Sequence, residues 1–234
     1  VGVEGLGVQM RIATWNVERL KQKCSLDKII RVCEDANADV LVLTESDERI
    51  MLHYHNSFHT PKPPDLYSPQ YTMPIHYAET EHRVSIYTNY EVIRQHTTFD
   101  RHTSLCVELK TEHGNLLIYG TIIGVLGNRE ASFLPDLLAQ LADIQRLAEQ
   151  GYNLCVLGDY NCSFCNNYYF TTEGRDTILR AFEESHISNL TRNQPMCIDH
   201  IALSDRFTDG RIVKITEWNL DKLLSDHKGI MAEL

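Results

Sequence analysis

Two stretches, DVLVLT at 39–44 and NLCVLG at 153–158, run apolar for the length of a strand without alternating polar positions. A strand of that kind is covered on both faces, which calls for a layered α/β arrangement with helices outside the sheet. Each run stops at a carboxylate, Glu45 after the first and Asp159 after the second. The chain therefore places acidic groups where buried strands emerge.

Other segments fill in the layers. MRIATW reads as a short strand ending at Asn16, followed by a helix over 25–36 with Leu26, Ile29, Ile30 and Cys33 at helical spacing. Ser25 is its expected N-cap and Asp27 complements the dipole in the first turn. RVSIYT (83–88), SLCVELK (104–110) and NLLIYGTII (115–123) read as strands, the last two joined through TEHG as a hairpin. The clearest helix is SFLPDLLAQLADIQRLAEQG, with Pro135 near its start and Gly151 just past its end. RDTILRAFEES predicts a shorter helix, and CIDHIALS, RIVKITEW and GIMAEL predict further strands. Residues 53–82 break the pattern with five of the seven prolines and five of the eleven histidines, which predicts a long irregular loop of functional character. Hairpins mixed with strand–helix alternation predict two mixed sheets packed face to face with helices outside.

Length bounds the organisation: 234 residues suit one domain, taken as 10–234, with 1–9 read as an N-terminal extension or a cloning remnant. No apolar run approaches the roughly 20 residues that cross a bilayer, and the N-terminus lacks the pattern of a secretory signal. Seven cysteines, an odd number scattered mostly in apolar segments, fit a reducing compartment, and a cytoplasmic location is the expectation. The C-x-x-C pair Cys162 and Cys165 has no second pair to close a four-ligand zinc site. His53, His55 and His59 are read as solvated loop residues. A net charge of −10 argues against tight nonspecific grip on long duplexes, although a local groove can still be positive.

The polar residues converge. Asn16, Glu45 and Asp159 stand at or just past the ends of short apolar strands, Asp199 lies inside one, and Asp226 with His227 precedes the last. Side chains at strand ends gather over one edge of a layered sheet. Carboxylates so gathered repel one another, and hard oxygen donors suit Mg²⁺ or Mn²⁺ better than zinc. Asp159 and Asn161, two apart, point the same way if the backbone there is extended. Asp199 and His200 must face opposite sides of their strand, and Asp199 is the natural partner of His227.

The ordered set TWNV, LTESDE, GDYN, IDHI and LSDH resembles the endonuclease/exonuclease/phosphatase superfamily, which spans abasic-site endonucleases, deoxyribonucleases, deadenylases, inositol-polyphosphate phosphatases and sphingomyelinases. The resemblance runs from Met10 to Leu234. It implies a four-layered α/β/β/α sandwich and cation-dependent cleavage of phosphate esters. Glu45 would be the principal Mg²⁺ ligand, with Asn16 and Asp226 close by, directly or through water. Asp159 would orient or deprotonate the attacking water and Asn161 would help align it. His227, held by Asp199, would bond the phosphoryl oxygens, with either Asp159 or His227 as the base. Arg19, Lys21, Lys23, Arg83 and the GNRE turn (Asn128, Arg129) are candidate phosphate contacts, weighed against plain surface charge.

Two departures bear on substrate. Where many relatives carry a Tyr or His that touches the phosphate, the aligned residue is Ile122, and Tyr119 has the wrong strand parity to replace it. No tryptophan-rich loop precedes CIDHI, which argues against abasic-site specificity. The leading expectation is a Mg²⁺- or Mn²⁺-dependent phosphodiesterase acting on DNA or RNA. The alternative is the same chemistry on a small phosphoester: a nucleotide, sugar phosphate or lipid head group. A non-catalytic binding module is disfavoured because every implied ligand and base is present.

Overall fold

A computed structural model describes residues 9–22, 26–68 and 72–234. Strand β1 (Arg11–Asn16) leads through a 3-10 turn at Glu18–Leu20 to helix α1 (Leu26–Ala36) and strand β2 (Val40–Asp47). Next come β3 (Asn56–His59), β4 (Glu81–Thr88), β5 (Glu91–His96), β6 (Ser104–Thr111) and β7 (Gly114–Ile122). Helix α2 (Phe133–Glu149), β8 (Leu154–Asp159) and α3 (Thr172–Glu184) follow. The chain then forms β9 (Ile187–Asn189), β10 (Asp199–Ser204), a short α4 (Asp205–Thr208), β11 (Lys214–Trp218) and β12 (Gly229–Glu233).

The strands build two six-stranded mixed sheets, ordered β11-β12-β1-β2-β4-β3 and β5-β6-β7-β8-β10-β9. Within each, one central pair is parallel, β1 with β2 and β7 with β8, and the other pairs are antiparallel. Ile12, Val42 and Val84 of the first sheet pack against Ile118, Leu157 and Ile201 of the second. The outer faces are covered in turn. Ile29 and Cys33 of α1 lie on Leu41 and Leu43, while Leu137, Ile144 and Ile178 of α2 and α3 lie on Tyr119 and Val156. This is the α/β/β/α layering expected, and it explains the two apolar runs, since β2 and β8 are buried on both faces.

Three local expectations change. Part of the 53–82 stretch is regular: β3 pairs with β4 along one edge, and Leu66 bridges Ile75. β3 ends before the first proline at 61, so proline density constrains only the residues beyond that strand. β5 went unpredicted because EVIRQH is a largely exposed edge strand with little apolar signal. Helix α3 begins at Thr172, before Arg175, because the Thr171 hydroxyl accepts the Gly174 amide at 3.1 Å and caps it. The proposed cap at Ser25 lies outside the described residues. No described helix is long and apolar enough to cross a membrane.

Candidate active site

β1 and β8 belong to different sheets, yet their C-terminal ends meet. Asn16 Nδ2 donates to Asp159 Oδ2 at 3.1 Å, and Asn16 Oδ1 accepts the Glu18 amide at 2.8 Å. Both side chains are buried. The other Asp159 oxygen accepts the backbone amide of Asn161 at 2.8 Å, a turn that the left-handed backbone of Asn161 (φ +48°) makes possible. Gly158 just before it has φ +137° and lies so close to the Thr121 carbonyl that a Cβ would overlap it. The GDYN sequence is therefore a tight turn that holds the Asp159 carboxylate fixed. Burial raises Asp159 to about 7, with Asp199 and Glu45 adding and His227 opposing.

Asp199 starts β10 directly opposite Asp159. Its Oδ2 lies 2.6 Å from His227 Nδ1, while its buried Oδ1 meets no hydrogen-bond donor among the described residues. Burial pulls His227 down, but Asp199 and Asp159 outweigh it and hold the imidazole up at about 10. Ligand atoms of Asp159, Asp199 and His227 lie within 4.8 Å of one another. Asp226, largely exposed, places Oδ1 3.7 Å from His227 Nε2. Residues not anticipated from sequence fix this loop. Ser225 Oγ donates to the Asn16 carbonyl at 2.6 Å and accepts the His227 amide at 3.1 Å. Trp15 Nε1 and Asn219 Nδ2 both donate to the His227 carbonyl, at 3.1 and 2.6 Å. Only the Ser of LSDH hinted at these partners.

Glu45 reaches the same edge through a break in β2. Its φ is +46°, uncommon for a residue with a side chain. The β2–β4 register is the same on both sides of it, but no ladder pair joins Glu45 to Arg83 opposite. Alternation slips here. Val84 faces the inter-sheet core, whereas His82 stacks at 4.9 Å on His59, which bonds Ser85 at 2.7 Å and abuts Tyr87 on the helix-covered face. Without the slip Glu45 would join Leu41 and Leu43 under α1. Instead, burial raises its carboxyl, His227 and Lys21 oppose, and Asp226 adds to the rise, so these charges act on the Glu45 carboxyl.

The chain matches the model of the Endonuclease/Exonuclease/phosphatase family over residues 13–227. The chain belongs to this family of phosphoester hydrolases. Solved structures share the fold at low identity. An endonuclease/exonuclease/phosphatase from Beutenbergia cavernae aligns with TM-score 0.70 at 13% identity, over 96% of this chain and 71% of the other. An AP endonuclease from Archaeoglobus fulgidus gives 0.67 at 13%, covering 95% and 98%. The 3′ phosphatase NExo from Neisseria, bound to product DNA hairpin, gives 0.67 at 14%, covering 96% and 99%. No curated protein matches the chain in sequence.

Within the family frame, the remaining candidates divide. The Asn161 side chain does not extend beside Asp159, because its backbone is left-handed and its Nδ2 donates to the carbonyls of Ile123 and Gly124 at 2.9 and 3.1 Å. Its observed work is to hold Asp159. Asn128 is buried and donates to the Asn161 carbonyl at 2.8 Å, so it braces the same turn, whereas Arg129 is exposed. Ile122 pairs with Asp159 in the β7–β8 ladder and points into the inter-sheet core. Tyr119 packs on the helix side with its hydroxyl on Asp143 at 3.1 Å, as parity requires. His200, opposite Asp199 in facing, is bonded to Thr191 and Cys162 away from the site. Neither the Cys162/Cys165 pair nor the loop histidines belong to a metal-capable cluster among the described residues. Lys23 lies outside them.

Proposed function

We propose that this family member hydrolyses phosphodiester bonds in DNA or RNA with Mg²⁺ or Mn²⁺. The observation that carries the reading is the Asp199–His227 pair, closed at 2.6 Å beside an Asp159 carboxylate that Asn16 holds from the other sheet. A carboxyl raised to about 7 is matched to taking a proton from water at neutral pH. His227, fixed through Nδ1 and protonated, offers Nε2–H to a phosphoryl oxygen as charge builds. Asn161 and Asn128 keep Asp159 from turning away.

The donor set fits a hard divalent cation. Glu45 and Asp226 supply carboxylate oxygens, and burial with nearby negative charge raises Glu45. Glu45 and Asp226 would hold the ion, with Asn16 beside them directly or through water. When bound, it polarises the phosphoryl oxygen as a Lewis acid.

A panel of single- and double-stranded DNA, RNA, nucleotides and phosphomonoesters, assayed with Mg²⁺, Mn²⁺ or EDTA, tests this. Oligonucleotide cleavage that EDTA abolishes and either ion restores is the expected result. Turnover restricted to nucleotides or head groups would favour the small-phosphoester reading, which the net charge of −10 supports. Undiminished turnover in EDTA would end the cation requirement.

A further inference from the structure

Arg83 is 5% exposed, and neither its Nε nor its Nη2 meets a protein acceptor. The guanidinium bonds the Tyr77 side chain, but a buried cation with two donors left unmet is costly, so that edge is kept for something. These two nitrogens form one edge of the guanidinium, with parallel N–H bonds that match two oxygens of one oxyanion. The chain uses that edge twice elsewhere. Arg19 clamps Glu81 with Nε–Oε1 2.6 Å and Nη2–Oε2 3.1 Å. Arg49 clamps Asp47 with Nε–Oδ1 2.8 Å and Nη2–Oδ2 2.7 Å. Arg83 presents the same fork, and no carboxylate of the described residues meets it.

Its place along the site edge is informative. Arg83 stands opposite Glu45, where the β2–β4 alternation slips, and its guanidinium carbon lies 5.3 Å from the Tyr77 ring centroid. Arg19 holds the same ring at 4.3 Å. Asp136 of α2 feels the Arg83 charge but accepts the Gly124 amide at 2.7 Å. In the first sheet β4 is two strands from β1, roughly 10 Å from the Asn16 end of that strand at the usual strand spacing. That offset suits a group beside the reacting phosphate.

We propose that the Nε/Nη2 edge of Arg83 receives a second phosphate of the substrate, next to the one being cleaved. This rests on the phosphodiesterase reading and narrows it: the substrate is an oligonucleotide or another diester with a neighbouring phosphate. The half-buried Tyr77 ring, with Arg83 Cζ 5.3 Å from its centroid, flanks this phosphate.

Calorimetry with pyrophosphate in EDTA tests the site without turnover. Wild type should bind, and Arg83→Gln should bind about tenfold more weakly, the loss expected for a bidentate charged contact. Arg83→Lys, which keeps the charge but not the fork, should also weaken binding and guards against a misfolded Gln variant. In parallel, kcat/KM for a 5′-phosphorylated dinucleotide relative to bis(p-nitrophenyl) phosphate should fall about tenfold in Arg83→Gln. Unchanged pyrophosphate affinity in both variants, or an unchanged selectivity ratio, would overturn the proposal. If the protein turns over no diester at all, the phosphodiesterase reading fails while the calorimetry still decides the Arg83 site.

Discussion

Asn16 and Asp159 are joined by a 3.1 Å hydrogen bond that crosses from one sheet to the other at the site edge. The same Asn16 takes the Glu18 amide and, through its carbonyl, the Ser225 hydroxyl. The side chain thus ties the β1 end and the following turn to the acid on β8, while the backbone carbonyl, which Asn16→Ala keeps, holds the loop carrying Asp226 and His227. Asn16→Ala should destabilise the fold by about 1–3 kcal/mol, because buried acceptors and donors lose partners. It should also lower kcat by about 10²-fold, comparable to the loss of a preorganised polar group. Thermal unfolding and single-turnover rates measure the two effects. A variant with wild-type melting and wild-type rate would show that the bridge holds nothing in place.

Glu45 and Asp159 should separate when each is made neutral. Glu45→Gln removes the carboxylate facing Asp226 and Lys21, and Mn²⁺ affinity should drop about tenfold or more. Asp159→Asn keeps the shape but loses the charge and one of the two acceptors that Asn161 and Asn16 use, so Mn²⁺ affinity should hold while kcat falls by about 10²–10⁴. Titration calorimetry beside rate measurement distinguishes these outcomes. Equal losses of Mn²⁺ affinity would mean that the two carboxylates share one role.

Gly229 opens β12 with its Cα against the Trp218 indole, where a Cβ would overlap the ring. Trp218 in turn meets Trp15 edge-on at 6.1 Å, and Trp15 holds the His227 carbonyl. Gly229→Ala should therefore cost about 1–3 kcal/mol by overpacking and shift the ring pair that supports the His227 loop. Because the chain has only two tryptophans, Trp15 and Trp218, its tryptophan emission reports on the surroundings of this ring pair. Unaltered emission and melting would show that the indole yields freely.

The layers were legible because burial on both faces writes itself into DVLVLT and NLCVLG, and the strand ends were legible because a polar residue stops each run. The loop partners were not. Trp15, Ser225 and Asn219 act on His227 through its backbone, and a backbone acceptor leaves no mark on the residue type. Glu45 was found as a strand-ending acid, but its left-handed turn depends on pairing with β4, some forty residues on, across an intervening loop. Arg83 shows the same limit from the other side. Its charge is visible in the sequence, while its burial and its open fork exist only once β4 lies beside β2. Asn161 failed differently: the spacing rule assumed extended backbone, and the GDYN turn is not extended.

His200 should make the fold acid-sensitive. It is fully buried behind Asp199, with Nδ1 at 2.9 Å from Thr191 Oγ1 and Nε2 at 2.9 Å from the Cys162 carbonyl. The second contact needs an N–H at Nε2, which the neutral imidazole supplies. Burial lowers it from the ordinary 6.5 to about 4. The unfolded chain therefore binds the proton first as pH falls, so the stabilisation is complete above 6.5 and is lost between 6.5 and 4. At pH 5 the loss amounts to about 2 kcal/mol relative to pH 7.5. Asp159 works in the opposite direction over much of this range, because its raised carboxyl takes up a proton in the fold before it does so in the unfolded chain. The comparison must therefore be between variants. Urea unfolding of wild type and His200→Gln at both pH values isolates the imidazole. The variant should be less stable at pH 7.5, since it loses two buried contacts, but should lose about 2 kcal/mol less on acidification than wild type. If both proteins lose stability equally between pH 7.5 and pH 5, His200 takes up its proton in the fold as readily as in the unfolded chain, and its burial is not what makes the protein yield to acid.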